Sequence, residues 1–179
     1  DLRRWLNHAA RVFLPVRPGI QHQMLLDPDR PSHHFDCIAG LTYQIDLSAP
    51  CEFDRDHDSG RGRIRDLAWQ GQPVTDDQQF VLATNSYRLG GAGGFIGPTA
   101  LPILSDDPTQ TRDAVLRHIA EAPIPPIPRP GWSLVAAPGT SVLFDTAPAA
   151  TNHLGDLHHL DLEPLGFTPE GFLRLRLGF

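Results

Sequence analysis

The sequence of this chain predicts an α+β domain. Helix-type and strand-type patterns are interspersed along its 179 residues, without the regular spacing of βαβ units. Hydrophobic residues make up 40% of the chain and charged residues 20%, which favours a chain that folds around a core over a disordered one. At this length we expect one domain with at most a small appendage.

Residues 1–14 predict an amphipathic helix that ends before Pro15. The polar side chains, including Asn7 and His8, are expected on the face opposite the apolar ones. The apolar positions recur at helical spacing and are Leu2, Trp5, Leu6, Ala9, Val12 and Phe13. The next segment, residues 15–35, is rich in proline and polar side chains and predicts a loop.

The middle of the chain predicts three strands. Residues 41–47 alternate between apolar and polar side chains, which indicates a strand with one buried face. A polar loop over residues 54–62 leads to a second strand, which ends at a tight turn near Gly71. Residues 80–84 are strongly apolar and predict a third strand that delivers the chain to the glycine-rich residues 90–94.

The last third predicts one helix, a connector and three strands. Asp107 is expected to cap the helix, with Pro108 in its first turn. The buried face of this helix would hold Val115, Leu116, Ile119 and Ala120. The proline-rich residues 123–131 predict an extended connector. The strands are expected at residues 133–137, 141–145 and 172–179.

Charge and motif content exclude several classes of function. The net charge is −6 and the sequence has no basic stripe, which argues against a nucleic-acid polymer as partner. No run of roughly 20 apolar residues is present to span a membrane. The adjacent pairs His33–His34 and His158–His159 would point to opposite faces of a strand, so no metal site is expected. The sequence also lacks a nucleophile elbow and the lysine of a phosphate-binding loop, so no catalytic residue is expected.

The two cysteines, Cys37 and Cys51, are too few for a disulfide framework. They would form one bridge in an oxidising compartment. The simpler interpretation is that they are two small buried hydrophobic side chains.

A short stretch, NSYRLGGAGGFIG at residues 85–97, combines a tyrosine, an arginine and several glycines. Glycines let a ligand or another backbone segment approach closely. A planar ligand lying on Tyr87 would need such a neighbouring backbone. The other interpretation is a bulged turn whose tyrosine packs against the protein, and the residues themselves leave both open.

Three stretches carry a resemblance to a known family: FDCIAGLTYQIDLSAP, GRIRDLAWQGQPVTDDQQFVLATNSYR and NSYRLGGAGGF. In this order they resemble the C-terminal domain of the 5′-nucleotidase family. The subgroup is that of the bifunctional 2′,3′-cyclic-nucleotide 2′-phosphodiesterase/3′-nucleotidases, because Gly93 stands where related 5′-nucleotidases carry an aspartate. The helix after the glycines and GWSLVAAPGTSVLFDTAP continue in the same order, so the resemblance covers most of the chain.

The resemblance implies a layered α+β fold, with sheets packed between helices and without its first strands. Residues 1–122 would be the later part of the nucleotide-binding domain, residues 123–131 a connector, and residues 132–179 a β-rich extension packing on the same domain. Members of this family hold the nucleotide base between two aromatic rings, and Tyr87 matches the second ring. The other implied substrate-binding residues are Asn85, Arg88, Gly91, Gly93 and Gly94. For Asn85 and Arg88, a role in positioning the loop is equally open.

The resemblance also implies what the rest of the protein contributes. Hydrolysis in the family belongs to an N-terminal metallophosphatase domain with two divalent metal ions, whose motifs are absent here. This chain is therefore expected to be an inactive fragment that itself needs no cofactor, with a nucleotide or nucleoside and that domain as partners. An open sheet edge would allow a homodimer. The family implies a periplasmic or secreted protein, and the alternative function is a non-catalytic nucleotide- or ligand-binding module of the same fold.

Overall fold

The computed structural model describes residues 1–51, 62–95, 102–104, 107–121 and 131–179. Its helices are α1 (Leu2–Ala9), α2 (Ser86–Leu89) and α3 (Thr111–Glu121). Its strands are β1 (Gln23–Met24), β2 (Leu41–Ile45), β3 (Ile64–Trp69), β4 (Gln72–Pro73), β5 (Trp132–Leu134), β6 (Ser141–Thr146), β7 (Leu162–Phe167) and β8 (Leu173–Gly178). Segments of 3₁₀ helix cover Ala10–Val12, Ser32–His34, Ala92–Gly94 and Pro148–Leu157.

The strands form two four-stranded mixed sheets. The first has the order β4–β3–β2–β5, in which β2 runs antiparallel to β3 and parallel to β5. The second has the order β1–β6–β8–β7, in which β1 runs parallel to β6 and the other pairs are antiparallel. Two mixed sheets with few helices are consistent with the predicted class. The finer layering implied by the resemblance stays a prediction.

Each of the two sheets contains strands from both the first part and the last part of the chain. Tyr43 of β2 pairs with Trp132 of β5, and Gln23 of β1 pairs with Val142 of β6. Residues 15–35, for which a loop was predicted, therefore include one short strand. The proposed division at residues 122 and 131 stays a prediction. The predicted loop over residues 54–62 and the connector over residues 123–131 lie almost wholly outside the described residues.

The predicted amphipathic helix is confirmed as α1, which buries Trp5, Leu6 and Ala9. The prediction that Asn7 and His8 lie on a polar outer face is wrong, because both are buried. The side-chain Oδ1 of Asn7 accepts hydrogen bonds from the backbone N–H groups of Arg63 (2.7 Å) and Ile64 (3.2 Å). Pairing of this kind removes the cost of burying a polar side chain.

Arg63 of β3's N-terminal flank binds the C-terminal end of the helical segment that begins with α1. Its side chain is fully buried, and its Nη1 donates to the carbonyl oxygens of Ala10 (2.9 Å) and Phe13 (2.7 Å), while its Nε donates to that of Ala49 (3.2 Å). Carbonyls at the end of a helix lack partners within the helix and carry partial negative charge, so a cation is favourable there. The N-terminal helix is thereby fixed to the first sheet.

The predicted strands β2 and β3 are confirmed, with Leu41, Tyr43 and Ile45 buried at alternate positions. The turn between β3 and β4 is at Gln70 and Gly71, both with positive φ, as the predicted tight turn requires.

The predicted strand over residues 80–84 is wrong for the part of the chain that the structure describes. The side chains alternate as a strand would, with Phe80 and Leu82 half-buried and Val81 81% exposed. No described strand pairs with this segment, which belongs to neither of the two sheets. Pairing of two copies through this or another open edge stays a prediction.

The predicted buried face of α3 is also wrong. The helix begins at Thr111 instead of next to Asp107, whose carboxylate accepts from the backbone N–H of Thr109 in a turn before the helix. Val115, Leu116 and Ile119 are each about half exposed, since no described element covers them. Within the described ranges, no helix is long and apolar enough to cross a membrane.

In the second sheet, β6 and β8 follow the prediction, while β7 was not predicted. The interior positions of β8 are Leu173 and Leu175, and Arg174 and Arg176 form ion pairs on the other face. Strand β7 contains Pro164 and Gly166, where the register with β8 shifts. Because a bulge breaks the two-residue period, the alternation that would have indicated this strand is hidden in the sequence.

Two smaller predictions are also corrected. Cys37 is exposed and Cys51 half-buried, and both are unpaired, so neither a bridge nor a buried pair is observed. His33 and His34 belong to a 3₁₀ segment, where their rings touch edge to face with centroids 4.6 Å apart. Among the described residues, no group of three or more His, Cys, Asp or Glu side chains is arranged to hold a metal ion.

Candidate functional site

The loop that carries Tyr87 begins at a helix cap. Asn85 is extended and its Oδ1 accepts a hydrogen bond from the backbone N–H of Arg88 at 2.9 Å. Asparagine is among the preferred residues at this position because its side chain satisfies a backbone donor that the helix leaves open. The prediction that Asn85, Ser86 and Tyr87 lie at the end of a strand is therefore corrected, since Ser86 and Tyr87 form the first turn of α2.

Arg88 is the anchor of the loop. Its side chain is only 5% exposed, and its guanidinium binds the Asp36 carboxylate through Nε (2.8 Å) and Nη2 (2.7 Å). The same group donates to the carbonyl oxygens of His33 (2.9 Å) and Ala92 (3.3 Å). Bidentate pairs of arginine and carboxylate combine strength with a fixed geometry. Because these donors are used within the protein, the geometry favours a positioning role for Arg88.

Asp36 and Trp5 complete this anchor, and sequence reasoning did not assign a role to either. The Trp5 indole N–H donates to the second oxygen of Asp36 at 3.1 Å. Asp36 thus joins helix α1 to the loop. The only signal in the sequence was that Asp36 belongs to a stretch resembling the family.

Phe95 packs against helix α1 at the end of the loop. It is buried, with its ring centroid 5.1 Å from that of Trp5 and 4.5 Å from that of His8. The Arg88 guanidinium lies 4.2 Å from the centre of the Phe95 ring, within cation–π range. Phe95, the residue directly after the glycine-rich residues 90–94, therefore attaches the loop to the hydrophobic side of α1.

The conformation of the loop itself requires the glycines, whether or not a ligand binds there. Gly91, Gly93 and Gly94 all have φ between 76° and 81°, a backbone conformation that residues other than glycine rarely adopt. A Cβ on Gly93 would lie 2.7 Å from Nη1 of Arg88, and one on Gly94 would lie 3.3 Å from Cε1 of His8. On one side of the loop, the space that side chains at Gly93 and Gly94 would need is thus filled by Arg88 and His8.

His8 holds the loop from α1. Its Nε2 lies 2.7 Å from the carbonyl oxygen of Gly93, to which it donates, and its Nδ1 lies 3.4 Å from Nη1 of Arg11. Burial lowers the pKa of His8, and the nearby cations Arg11, His34 and Arg30 lower it further, whereas the bond to Gly93 opposes the shift. The neutral form, with the proton on Nε2, matches both contacts.

Tyr87 is the side chain that this anchored loop presents to solvent. It is 53% exposed, and the Arg88 guanidinium lies 5.3 Å from its ring centre. A cavity of about 870 Å³ adjoins the loop, and its lining includes Trp5, Asp36, Asn85 and Arg88. Tyr87 lies between two residues of this lining, Asn85 and Arg88, and does not itself line the cavity. An exposed aromatic face at this position suits binding of a planar ligand.

Comparisons with known proteins identify the family. The family model described as 5′-nucleotidase, C-terminal domain, matches residues 1–99. The chain is 29% identical, across 82% of its length, to the trifunctional nucleotide phosphoesterase protein YfkN of Bacillus subtilis, of which it covers 10%. No solved structure matches the chain.

Two further relatives are named 2′,3′-cyclic-nucleotide 2′-phosphodiesterase/3′-nucleotidase. The protein of Haemophilus influenzae is 27% identical across 96% of this chain, and the one of Salmonella typhimurium is 32% identical across 83%. The chain covers 28% and 25% of these proteins, so it spans at most a little over a quarter of the curated relatives described here. Since the family model matches more than half of its residues, the chain belongs to the 5′-nucleotidase C-terminal domain family.

Proposed function

We propose that this chain is the substrate-recognition part of a 2′,3′-cyclic-nucleotide 2′-phosphodiesterase/3′-nucleotidase, a hydrolase of phosphoester bonds in nucleotide salvage. Tyr87 provides one face for the nucleotide base. The observation that carries the proposal is an exposed aromatic ring on a loop whose neighbours Asn85, Arg88 and Phe95 are all fixed by contacts within the chain. Membership of the family supports the reaction class.

The anchoring of the neighbouring residues fixes the backbone from which Tyr87 projects. A loop that is already ordered loses little conformational entropy when a base stacks on its aromatic ring. Stacking of a base on an aromatic side chain contributes about 1–3 kcal/mol and tolerates every base. In this proposal Asn85 and Arg88 position Tyr87, and Gly91, Gly93 and Gly94 give the loop its shape beside the bound base.

The chemistry belongs to another part of the protein. In this proposal an N-terminal metallophosphatase domain with two divalent metal ions performs the hydrolysis, as the resemblance implies. We also propose that the chain alone binds but does not hydrolyse. A periplasmic or secreted location accompanies the proposal, on the resemblance alone.

Steady-state kinetics of the full-length protein test the role of Tyr87. In Tyr87→Ala, KM for 3′-AMP should rise about 5- to 150-fold, the equivalent of 1–3 kcal/mol, with a smaller change in kcat. Tyr87→Phe should retain most of the affinity because the ring remains. Phe172→Ala is the matched control, since Phe172 is similarly exposed (50%) next to β8. An unchanged KM in Tyr87→Ala would contradict the proposal.

The same assay separates the enzyme from a non-catalytic module. Metal-dependent release of phosphate by the full-length protein supports the hydrolase. Nucleotide binding that depends on Tyr87, without any hydrolysis, would instead assign the chain to a binding module of the same fold.

A further inference from the structure

A second, smaller cavity lies on the side of the glycine loop that faces α1. Its volume is about 270 Å³, several times the roughly 30 Å³ that a water molecule occupies in the liquid. The groups in its lining that carry charge or hydrogen bonds are two arginines, two histidines, one carboxylate and a backbone carbonyl. They belong to Arg11, Arg30, His8, His34, Asp29 and Gly93.

The two arginines have unused donors. A guanidinium carries five N–H groups. Arg11 makes one long contact with His8, and in the described part of the chain no carboxylate lies within ion-pair distance of it. Arg30 uses Nε for Asp27 at 3.1 Å, which leaves its two terminal nitrogens for the cavity.

The two histidines respond to this cationic surrounding. His8 donates Nε2–H to Gly93, so its Nδ1 faces Arg11 as an acceptor. Burial lowers the pKa of both His8 and His34, and Arg30 lowers each of them further. The positive charge around this cavity therefore comes from Arg11 and Arg30, in a chain whose net charge is −6. Asp29 is the carboxylate that opposes it within the cavity lining.

We infer that this cavity, which we call the Arg11–Arg30 pocket, binds a tetrahedral oxyanion of the phosphate class. The forked guanidinium groups of Arg11 and Arg30 match the oxygen geometry of phosphate. The anion would supply the counter-charge that Arg11 lacks among the described residues, and it would lie against Gly93, six residues after Tyr87. The inference is independent of the proposed function, because it requires only the charges and donors around this cavity.

Histidine NMR of the 179-residue chain tests the inference. Inorganic phosphate is titrated at constant ionic strength, with sodium chloride as the balancing salt, while the ring signals of His8 and His34 are followed. We expect a saturable shift and a rise in the pKa of both rings, because a nearby anion favours the charged form. A shift that never saturates, or that chloride reproduces, overturns the inference.

Variants of opposite sign sharpen this experiment. Arg30→Gln, at an exposed position, should weaken phosphate binding roughly tenfold, and adding Arg11→Gln should abolish the saturable shift. Asp29→Asn should strengthen binding, because it removes the opposing charge. Arg17→Gln is the control, since Arg17 is exposed and lies outside the lining of this cavity. Saturation that survives in the double variant overturns the inference.

Two ligands identify the source of the phosphate. Adenosine lacks the phosphate and should leave the His8 and His34 signals unchanged. If 3′-AMP shifts these signals with a smaller dissociation constant than inorganic phosphate, the pocket receives the phosphate of a nucleotide. If inorganic phosphate binds and 3′-AMP does not, the pocket takes the free ion. Absence of a saturable effect with both ligands overturns the inference, whatever adenosine does at Tyr87.

Discussion

Helix α1 buries Trp5, Leu6 and Ala9, whereas helix α3 leaves Val115, Leu116 and Ile119 about half exposed. Both helices carry apolar side chains at helical spacing, and the sequence predicted a buried face for each. In the described part of the chain α1 packs on β3, whereas α3 has no comparably extensive contact with another element. Periodicity therefore indicates which side of a helix is apolar, but burial depends on a second element that periodicity does not reveal.

The same contrast holds for extended segments. Strand β2 has an alternating pattern and is paired on both sides, by β3 and β5. Residues 80–84 also alternate, yet they lie outside both sheets, with Val81 among the most exposed apolar side chains described. The Tyr87 loop lies directly after this unpaired segment, and contacts to α1 and Asp36 hold it in place.

The largest difference in the free energy of unfolding is expected between alanine substitutions of two leucines. Leu6→Ala should lower the free energy of unfolding by about 3 kcal/mol, because Leu6 is 1% exposed and its removal leaves a cavity in the core. Leu116→Ala, at 58% exposure on α3, should change it by less than about 0.5 kcal/mol. Urea unfolding followed by far-UV circular dichroism measures both. Equal losses would mean that α3 is buried in solution.

A second, smaller difference in the free energy of unfolding is expected when the arginine of either of two arginine–carboxylate pairs is replaced. Arg88→Gln should cost about 2 kcal/mol of stability, because it leaves Asp36 and several carbonyl oxygens partly buried without their donor. Arg174→Gln removes an equally short bidentate pair with Asp145 on the surface of the second sheet, and should cost less because water replaces the bonds.

The same unfolding assay measures both arginine variants. Hydrogen exchange of the backbone amides in residues 86–95 should become faster in the first variant alone, because the loop loses its anchor. A loop that stays equally protected in Arg88→Gln would contradict the positioning role.

The smallest effect is a pH dependence that comes from His8. Its pKa is lowered in the folded chain relative to the ordinary value of 6.5, mainly by burial. The unfolded chain therefore binds more protons below pH 6.5, so stability is complete above that pH and falls as the pH decreases through the folded pKa. His34 contributes with the same sign.

Unfolding measured between pH 7.5 and 5 in phosphate-free buffer checks this sign. His8→Gln should reduce the slope, whereas His118→Gln, on the exposed helix α3, should leave it unchanged. Stability that rises as the pH decreases would contradict the assignment.

Much of the local structure was predictable because its causes are local. The spacing in α1, the alternation in β2 and β3 and the turn at Gly71 each depend on neighbours within a few residues. The glycines and the resemblance also indicated Tyr87 as a binding residue, and that role stays a prediction. Strand β7 was missed because Pro164 and Gly166 conceal its period.

The sequence by itself determined helix α1, strands β2, β3, β6 and β8 and the family, since these follow from short-range patterns and motif order. Only the tertiary structure decided that Asn7 binds backbone 56 residues away at Arg63, and that Arg88 pairs with Asp36 across 52 residues. It also decided that α3 stays exposed in the part of the chain described here. Partners so distant in the chain are set by how the elements pack, and no spacing in the sequence encodes that packing.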